Sequence, residues 1–384
     1  MLLVGHSSGL LGAERSLLEI ASSAVNDEHE VVVSLPGPGP LWGLLEAAGV
    51  RVVNARVRSW LGPWHRIPPV GLLRLWQIRR SVPAYLDLIR RIDPDVVVSN
   101  SAVVVAPSLA SQRMGVPHLW VVRESLRDNR ELRSLLPKSL IARRIFDRSA
   151  VVCTVSPYVA EQLNSLAGSF RRTHTVSPNP AAEAAGLPPT VREYPGGRRP
   201  RLLLPGFFSR EKGQHTAILA CFLARRAGKE VNLRIVGRGK LLYRSFLRVL
   251  ITILGLRSNV SLLPWADSLS SEIQGADFVL MTSRNEAFGR SVVESFSHGV
   301  PVIGLARGAT TTLLREGGGL LVQPATPQQL ATILSRVSDM SEGKYLDLCE
   351  KAAARGDGFR HGPSQYQMFS LAVGSIGGGS EVGR

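Results

Sequence analysis

Residues 283–294 read SRNEAFGRSVVE. The apolar run before them, 278–281, reads as a buried strand, and 292–298 reads as a helix. A helix therefore starts near Gly289, with Glu286 in the loop before it and Glu294 in its second turn. The amides of Phe288, Gly289 and Arg290 are then helix-start donors without intrahelical partners. Acids here serve as caps or dipole partners, or they bind a ligand at the positive end of the helix. The rest of the chain decides between these readings.

Outward from this stretch, short apolar runs alternate with longer amphipathic segments, the pattern of parallel strands with crossover helices. Strands are expected at 2–5, 30–35, 50–53, 96–99, 118–122 and 151–155. A second set is expected at 201–205, 231–236, 260–263, 278–281, 300–304 and 319–322. Helical patterns lie between them, among others at 13–24, 83–92, 157–166, 213–226 and 327–338. A chain of 384 residues suits two domains better than one. Residues 181–200, AAEAAGLPPTVREYPGGRRP, carry the Pro, Gly and charge of a linker. The division is an N-terminal domain at 1–182, a linker at 183–200, a C-terminal domain at 201–370 and a disordered tail at 371–384. The fold class is α/β: two Rossmann-like, doubly wound domains facing across a cleft, with ligands at the carboxyl ends of the strands.

Composition narrows the function. Hydrophobic residues make up 44% of the chain and charged residues 20%, enough for ordinary cores. Lys+Arg outnumber Asp+Glu by 46 to 30, a formal net charge of +16, which favours polyanionic or phosphorylated partners. Cys153, Cys221 and Cys349 are far apart and form no CxxC or zinc spacing, so buried reduced thiols in a cytoplasmic protein are expected. No N-terminal signal is visible, and no apolar run reaches membrane-spanning length.

Two further loops fall at strand ends. Residues 206–213, GFFSREKG, place Arg210 and Lys212 at the start of a helix. Cations beside a helix N-terminus suit a diphosphate, and the same residues also suit a solvated charged turn. Residues 235–239, IVGRG, let backbone approach a ligand, although a lone GxG is a weak signal.

With these loops in place, EAFGRSVVE resembles the E-x7-E motif of the retaining glycosyltransferases of family 4, which have the GT-B fold. The likeness extends to SREKG, IVGRG, HGVPVIG and GGGLLVQPATPQQLA in the second half. In the first half it extends to SSGLLGAERSLLEIA, LPGPGPLWGLLEAAGV, PDVVVSN, GVPHLWVVRES and VSPYVAEQL, with VSPNP near the boundary. The resemblance implies that Glu286 binds donor-sugar hydroxyls and that Glu294 holds the ribose of a nucleotide. Phe288, Gly289 and Arg290 would give amides to the diphosphate or sugar. Lys212, helped by Arg210, would neutralise the departing nucleoside diphosphate, the main electrostatic task of such a transfer. Gly12 would let backbone approach the phosphates from the first domain, and Trp265 lies among the residues that select the base. Arg123 and Glu124, after a strand end, are acceptor-side candidates. No DxD or His cluster suggests a metal, so no metal or other cofactor is expected beyond the nucleotide-sugar substrate. Several positions depart from the family pattern. Phe207 stands where an Arg is common, Leu11-Gly12-Ala13-Glu14 has lost a glycine, Val121 replaces a His, and Thr312 falls near a usual Glu. His118 follows Pro117 at a strand start and reads as a packed histidine.

Between 51 and 91 the chain has nine arginines and one acid, Asp87, a net +8. Trp60, Trp64 and Trp76 are interleaved with them, and Leu72, Leu73, Leu75 and Ile78 add apolar surface. Basic side chains with Trp and Leu suit an anionic membrane surface, here through 56–80; they equally suit a connector whose Trp and Leu cover the core. RNP, KH, zinc-finger and helix-turn-helix signatures are missing, which speaks against nucleic acid. The expected function is a retaining transfer of sugar from a nucleoside-diphosphate sugar to a glycan or lipid-linked acceptor. It would serve cell-envelope or exopolysaccharide biosynthesis, in the cytoplasm at the inner face of the plasma membrane. A nucleotide-sugar epimerase of the same fold and a non-catalytic GT-B scaffold are the alternatives.

Overall fold

The structure, a computed structural model, describes residues 1–177, 194, 196–265 and 269–377. The chain divides into two units, Met1–Pro178 with Pro363–Arg384, and Asn179–Gly362. Among the described residues the first unit holds seven parallel strands: β1 (Leu2–Val4), β2 (Val32–Leu35), β3 (Arg51–Asn54), β4 (Val97–Ser99), β5 (His118–Val122), β6 (Val151–Thr154) and β7 (His174–Thr175). The second holds six: β8 (Arg201–Pro205), β9 (Asn232–Val236), β10 (Val260–Leu263), β11 (Phe278–Met281), β12 (Val302–Leu305) and β13 (Gly319–Val322). The helices are α1 (Gly12–Asn26), α2 (Pro40–Ala47), α3 (Pro68–Ile92), α4 (Ala106–Met114), α5 (Lys138–Asp147), α6 (Pro157–Ala167), α7 (Gln214–Arg226), α8 (Leu241–Ile253), α9 (Ser270–Gln274), α10 (Arg290–Ser297), α11 (Ala309–Arg315), α12 (Pro327–Ser338), α13 (Glu342–His361) and α14 (Gln365–Gly377).

The sheet orders are β3-β2-β1-β4-β5-β6-β7 and β10-β9-β8-β11-β12-β13. Both are doubly wound, and the order reverses between β1 and β4 and between β8 and β11. At such switch points the loops leave toward opposite faces and open a crevice above the strand ends. The strands read as continuous apolar runs because both faces are covered. Leu202, Leu204, Phe278 and Leu280 pack into one core of the second unit, whereas Leu203, Val279 and Met281 pack into another on the opposite face. That is the period of two. All three cysteines are buried and free, as expected.

Three expectations change. The helix expected at 83–92 begins at Pro68 and passes through Pro83. Pro83 gives up one backbone bond, but Ile78, Val82, Tyr85, Leu88 and Ile89 hold one side of the helix in the core across it. The two-residue β7 is too short to leave a periodic signal. The third change is at the chain end. The expected second domain to 370, with a disordered tail from 371, gives way to α14, whose Tyr366, Phe369 and Ala372 enter the core of the first unit. An apolar stripe at helical spacing outweighs the nearby glycines. The expectations for 178–193 and 378–384 lie outside the described residues.

Two buried polar groups away from the strand ends give tests of the fold. Asp277, 1% exposed by side chain, accepts from both Nη atoms of Arg198 (2.7 and 2.8 Å), from Nη2 of Arg201 (3.0 Å) and from its amide (2.7 Å). Burial works to raise its pKa, and these donors outweigh it and hold the carboxyl below the usual range. Asp277→Ala should cost about 2 kcal/mol in urea unfolding, because two part-exposed guanidinium groups and a backbone amide lose their shared buried acceptor.

His118 is buried at the start of β5, with Nε2 2.9 Å from Ser99 Oγ and Nδ1 3.2 Å from Ser149 Oγ. It stands edge-on to Trp120, the packed histidine the sequence suggests. Burial pushes its pKa down to about 3. Between that value and the ordinary value near 6.5 the unfolded chain takes up a proton that the folded chain refuses. Its contribution is therefore intact above about pH 6.5 and is lost as pH falls, by at most about 1.4 kcal/mol per pH unit. Unfolding free energies at about pH 7 and pH 5 should differ less in His118→Asn than in the wild type.

Candidate active site

The switch point of the second sheet collects the loops that follow β8, β11 and β12. After β8, Gly206 turns the chain, and Phe207 and Phe208 part ways. Phe208 is fully buried, whereas Phe207 remains 36% exposed with its carbonyl held by Gln214 Nε2 at 3.0 Å. A 3-10 turn, Arg210–Lys212, then leads through Gly213 into α7. Gly213 has φ +68°, and a Cβ there would stand 2.2 Å from the carbonyl oxygen of Thr282. The IVGRG glycines serve the same close packing: a Cβ on Gly237 would meet the carbonyl oxygen of Gly206 at 2.0 Å.

The loop after β11 is stitched to this turn. Thr282 Oγ1 donates to the carbonyl of Lys212 at 2.9 Å, and the Arg284 amide donates to that of Glu211 at 2.7 Å. The stitching brings Lys212 Nζ to 2.8 Å from Glu286 Oε2, a pair from residues 74 apart in sequence. Neither side chain is sealed, with 34% and 14% exposed. Glu286 is fixed from behind, where its carbonyl accepts the Ala309 amide at 2.8 Å and Gly308 packs against its backbone. Gly289, at φ +95°, turns the chain into α10. In the second turn Glu294 Oε1 lies 3.0 Å from Arg290 Nε, so the carboxylate expected to hold the ribose is engaged by the side chain of a residue expected to contribute only its amide.

The surroundings are strongly positive. The His215 pKa is lowered by burial and then by Arg284 and Arg210. The Arg307 pKa is lowered by burial and then by Arg284. Arg284 and Arg307 are residues that sequence reasoning passed over. Arg284 stood in view two places before Glu286, while Arg307 had no spacing to mark it. Asn285 Oδ1 is buried without a hydrogen-bond partner among the described residues. Trp265, half-buried, follows the edge strand β10, and Thr312 is exposed on α11. No cluster of three or more His, Cys, Asp or Glu among the described residues is placed to hold a metal.

In the first unit, Gly12 opens α1 at the matching switch point, exposed, with nothing within 4 Å of where a Cβ would stand. Its setting is made by Glu14, which accepts the Leu11 amide at 3.0 Å and lies 3.6 Å from His6. Arg123 and Glu124, the acceptor-side candidates, are both engaged by neighbours within the first unit, Arg123 buried and Glu124 half-buried. Arg123 is buried, and its Nε and Nη2 donate to Asn100 Oδ1 at 2.9 and 2.7 Å. Asn100 Nδ2 in turn donates to the carbonyl of Ala13 at 3.1 Å. Burial lowers the Arg123 pKa to about 10. Glu124 accepts from Ser101 Oγ, from the Ala102 amide at 2.9 Å and from the Arg123 amide at 3.2 Å. The buried Arg123 thus braces the start of α1 through Asn100, and Glu124 holds the 101–102 loop. Val121 is fully buried in the core.

The 56–80 segment divides. Trp60 is core, donating to the carbonyl of Ala102 at 2.7 Å and stacking on Trp120. Trp64, Leu72, Leu73 and Trp76 are at least half exposed, and the Arg80 guanidinium lies 4.0 Å over the Trp76 ring. Among the described residues no helix is long and apolar enough to cross a membrane.

Two family models match the chain: a glycosyl transferase 4-like domain over residues 12–180 and the glycosyl transferases group 1 domain over 195–355. The chain belongs to this glycosyltransferase family. The lipopolysaccharide core biosynthesis glycosyltransferase LpsE of Rhizobium meliloti is 30% identical over 139 residues, 36% of this chain and 39% of LpsE. The D-inositol 3-phosphate glycosyltransferase of Jonesia denitrificans is 39% identical over 83 residues, 21% of this chain and 20% of the relative. The chain thus matches less than half the length of these curated relatives. Among solved structures, Anabaena HepE in complex with UDP superposes with a TM-score of 0.72 at 20% identity, covering 98% of this chain and 99% of HepE. At that identity the likeness speaks for the fold, which is GT-B with two Rossmann-like domains.

Proposed function

We propose that this chain is a retaining glycosyltransferase that moves a sugar from a nucleoside-diphosphate donor to a glycan or lipid-linked acceptor. The observation that carries the reading is the Lys212–Glu286 pair at the switch point of the second sheet. An ammonium group held beside a carboxylate, with Arg210, Arg284 and Arg307 around it, offers opposite charges to opposite ends of one substrate. Glu286 accepts hydrogen bonds from sugar hydroxyls. Lys212 and Arg210 take the charge that grows on the leaving diphosphate, in a site already polarised for it. The first turn of α10 adds amides from Phe288, Gly289 and Arg290. Glu294 receives the ribose once Arg290 turns from it toward phosphate. These cations do the electrostatic work without a metal.

The family and the neighbours support nucleotide-sugar use, since HepE is a UDP complex. A lipid-linked acceptor fits an apolar groove of about 720 Å³ lined by Trp60, Leu72 and Trp76, with Arg79, Arg113 and Arg144 at its edges. With the exposed Trp64 and Trp76 it supports the reading of an enzyme working at the inner face of the plasma membrane, in envelope or exopolysaccharide synthesis.

The test is thermal shift against UDP, GDP, ADP, dTDP and their sugars, with magnesium and with EDTA. A ligand at a hundred times its Kd adds about 2.7 kcal/mol. One nucleotide should stabilise the protein equally in both buffers, and the transfer product should keep the anomeric configuration of the donor by NMR. Absence of any shift would overturn the donor reading and leave a scaffold. A donor altered without any acceptor would mark an epimerase.

A further inference from the structure

Helix α8 of the second unit carries a row of uncovered apolar side chains. Leu242 is 89% exposed, Phe246 46%, Val249 55% and Ile253 75%. Their spacing of four, three and four keeps them in one line along the helix, over about 16 Å. A neighbouring face is already used: Tyr243, Leu247 and Ile251 are buried in the core, with Leu250 and Leu254 packed beside them. A surface helix needs one apolar face. This one has a second, which faces water.

The charge around it has one sign. From 231 to 265 the chain has Arg234, Arg238, Lys240, Arg244, Arg248 and Arg257 and no Asp or Glu. Arg234 is taken by Glu272 at 2.9 Å, and Arg244 lies over Phe208. Arg248 and Arg257 are exposed, and Arg257 Nε rests on Thr252 Oγ1 at 3.2 Å. Apolar side chains in line, flanked by arginines without acids, match the interface of an anionic bilayer, where acyl chains lie beneath phosphates. A second copy of the chain fits poorly. A two-fold contact through this row sets the same arginines against each other with no carboxylate in the segment to answer them.

We propose that α8 lies in the plane of an anionic membrane, with Leu242, Phe246, Val249 and Ile253 at the acyl boundary and Arg248 and Arg257 at lipid phosphates. The contact belongs to the second unit alone. It is separate from the 56–80 surface and holds whether or not the unit transfers sugar.

The experiment uses the full chain with Ser245→Cys, an exposed position beside Phe246, labelled with a polarity-sensitive fluorophore; the native cysteines are buried. The probes are phosphatidylcholine vesicles with and without about one-third phosphatidylglycerol. Emission should shift to the blue with the anionic vesicles only, and high salt should reverse it. Leu242→Ser combined with Phe246→Ser and Ile253→Ser should weaken the response about tenfold or more. Arg248→Glu should weaken it about fivefold or more. Both variants should keep the wild-type nucleotide response, and Arg248→Glu also the wild-type melting temperature; the triple variant gives up the stack of Phe246 on Tyr243 and should melt only slightly lower. Protein that sediments with anionic vesicles while the label stays unshifted overturns the proposal and leaves 56–80 as the binding surface. A blue shift without lipid that grows with protein concentration, with a dimer by light scattering, overturns it in favour of a second copy.

Discussion

Lys212→Ala should lower kcat/KM by about a hundredfold to a thousandfold, the cost of removing one preorganised group from a developing negative charge. The loss should fall mainly on kcat, because the ammonium meets more charge on the departing diphosphate than on the bound donor. The geometry adds a second effect. Lys212 Nζ is 2.8 Å from Glu286 Oε2, so its loss also releases the carboxylate proposed to position the sugar. Glu286→Gln keeps the shape, still meets the sugar hydroxyls, and loses the charge that holds Lys212. It should therefore reduce transfer strongly with little change in melting temperature. Steady-state kinetics on the two variants and their combination decide the matter. If the two residues act as a unit, the double variant is hardly worse than the poorer single one. Wild-type rates in both single variants would remove this pair from the mechanism.

Gly308→Ala should be strongly destabilising for a single added methyl group. Gly308 has φ +60° and ψ −152°, a region open essentially to glycine alone. A Cβ there would stand 2.4 Å from the carbonyl oxygen of Glu286 and 2.8 Å from its nitrogen. Backbone strain and collision together should cost about 2–4 kcal/mol by urea unfolding. Relief of the clash moves Glu286 itself, whose carbonyl holds the Ala309 amide. Transfer should thus fall further than stability accounts for, and donor binding should weaken with it. Gly343→Ala is the control, since Gly343 has open space where a Cβ would stand and lies in a helix. It should leave both properties unchanged.

Much of this architecture was legible in one dimension. Strands such as 118–122, 201–205, 260–263, 278–281 and 319–322 have the expected bounds because buried parallel strands are short apolar runs cut off by turn residues. SRNEAFGRSVVE and the apolar run before it showed a loop, a helix start and a strand because each is a local preference. Its two acids and SREKG together marked the site that the sheet order then places at a switch point. Local patterning, however, carries no information on which groups meet. Arg123 and Glu124 stand at a strand end, and nothing in their spacing announces that they hydrogen-bond Asn100 and the 101–102 loop. In sequence the helix α14 divides between the second domain and a Gly-rich tail from 371, yet it is core of the first unit, because Phe369 found a partner surface from the other end of the chain. Lys212 and Glu286, 74 residues apart, are paired only by a β8–β11 neighbourhood that exists once the sheet forms. Strand, helix and turn types follow from the side chains within a few residues. Contacts between distant residues follow from burial and hydrogen bonding across the whole unit, which the tertiary structure alone decides.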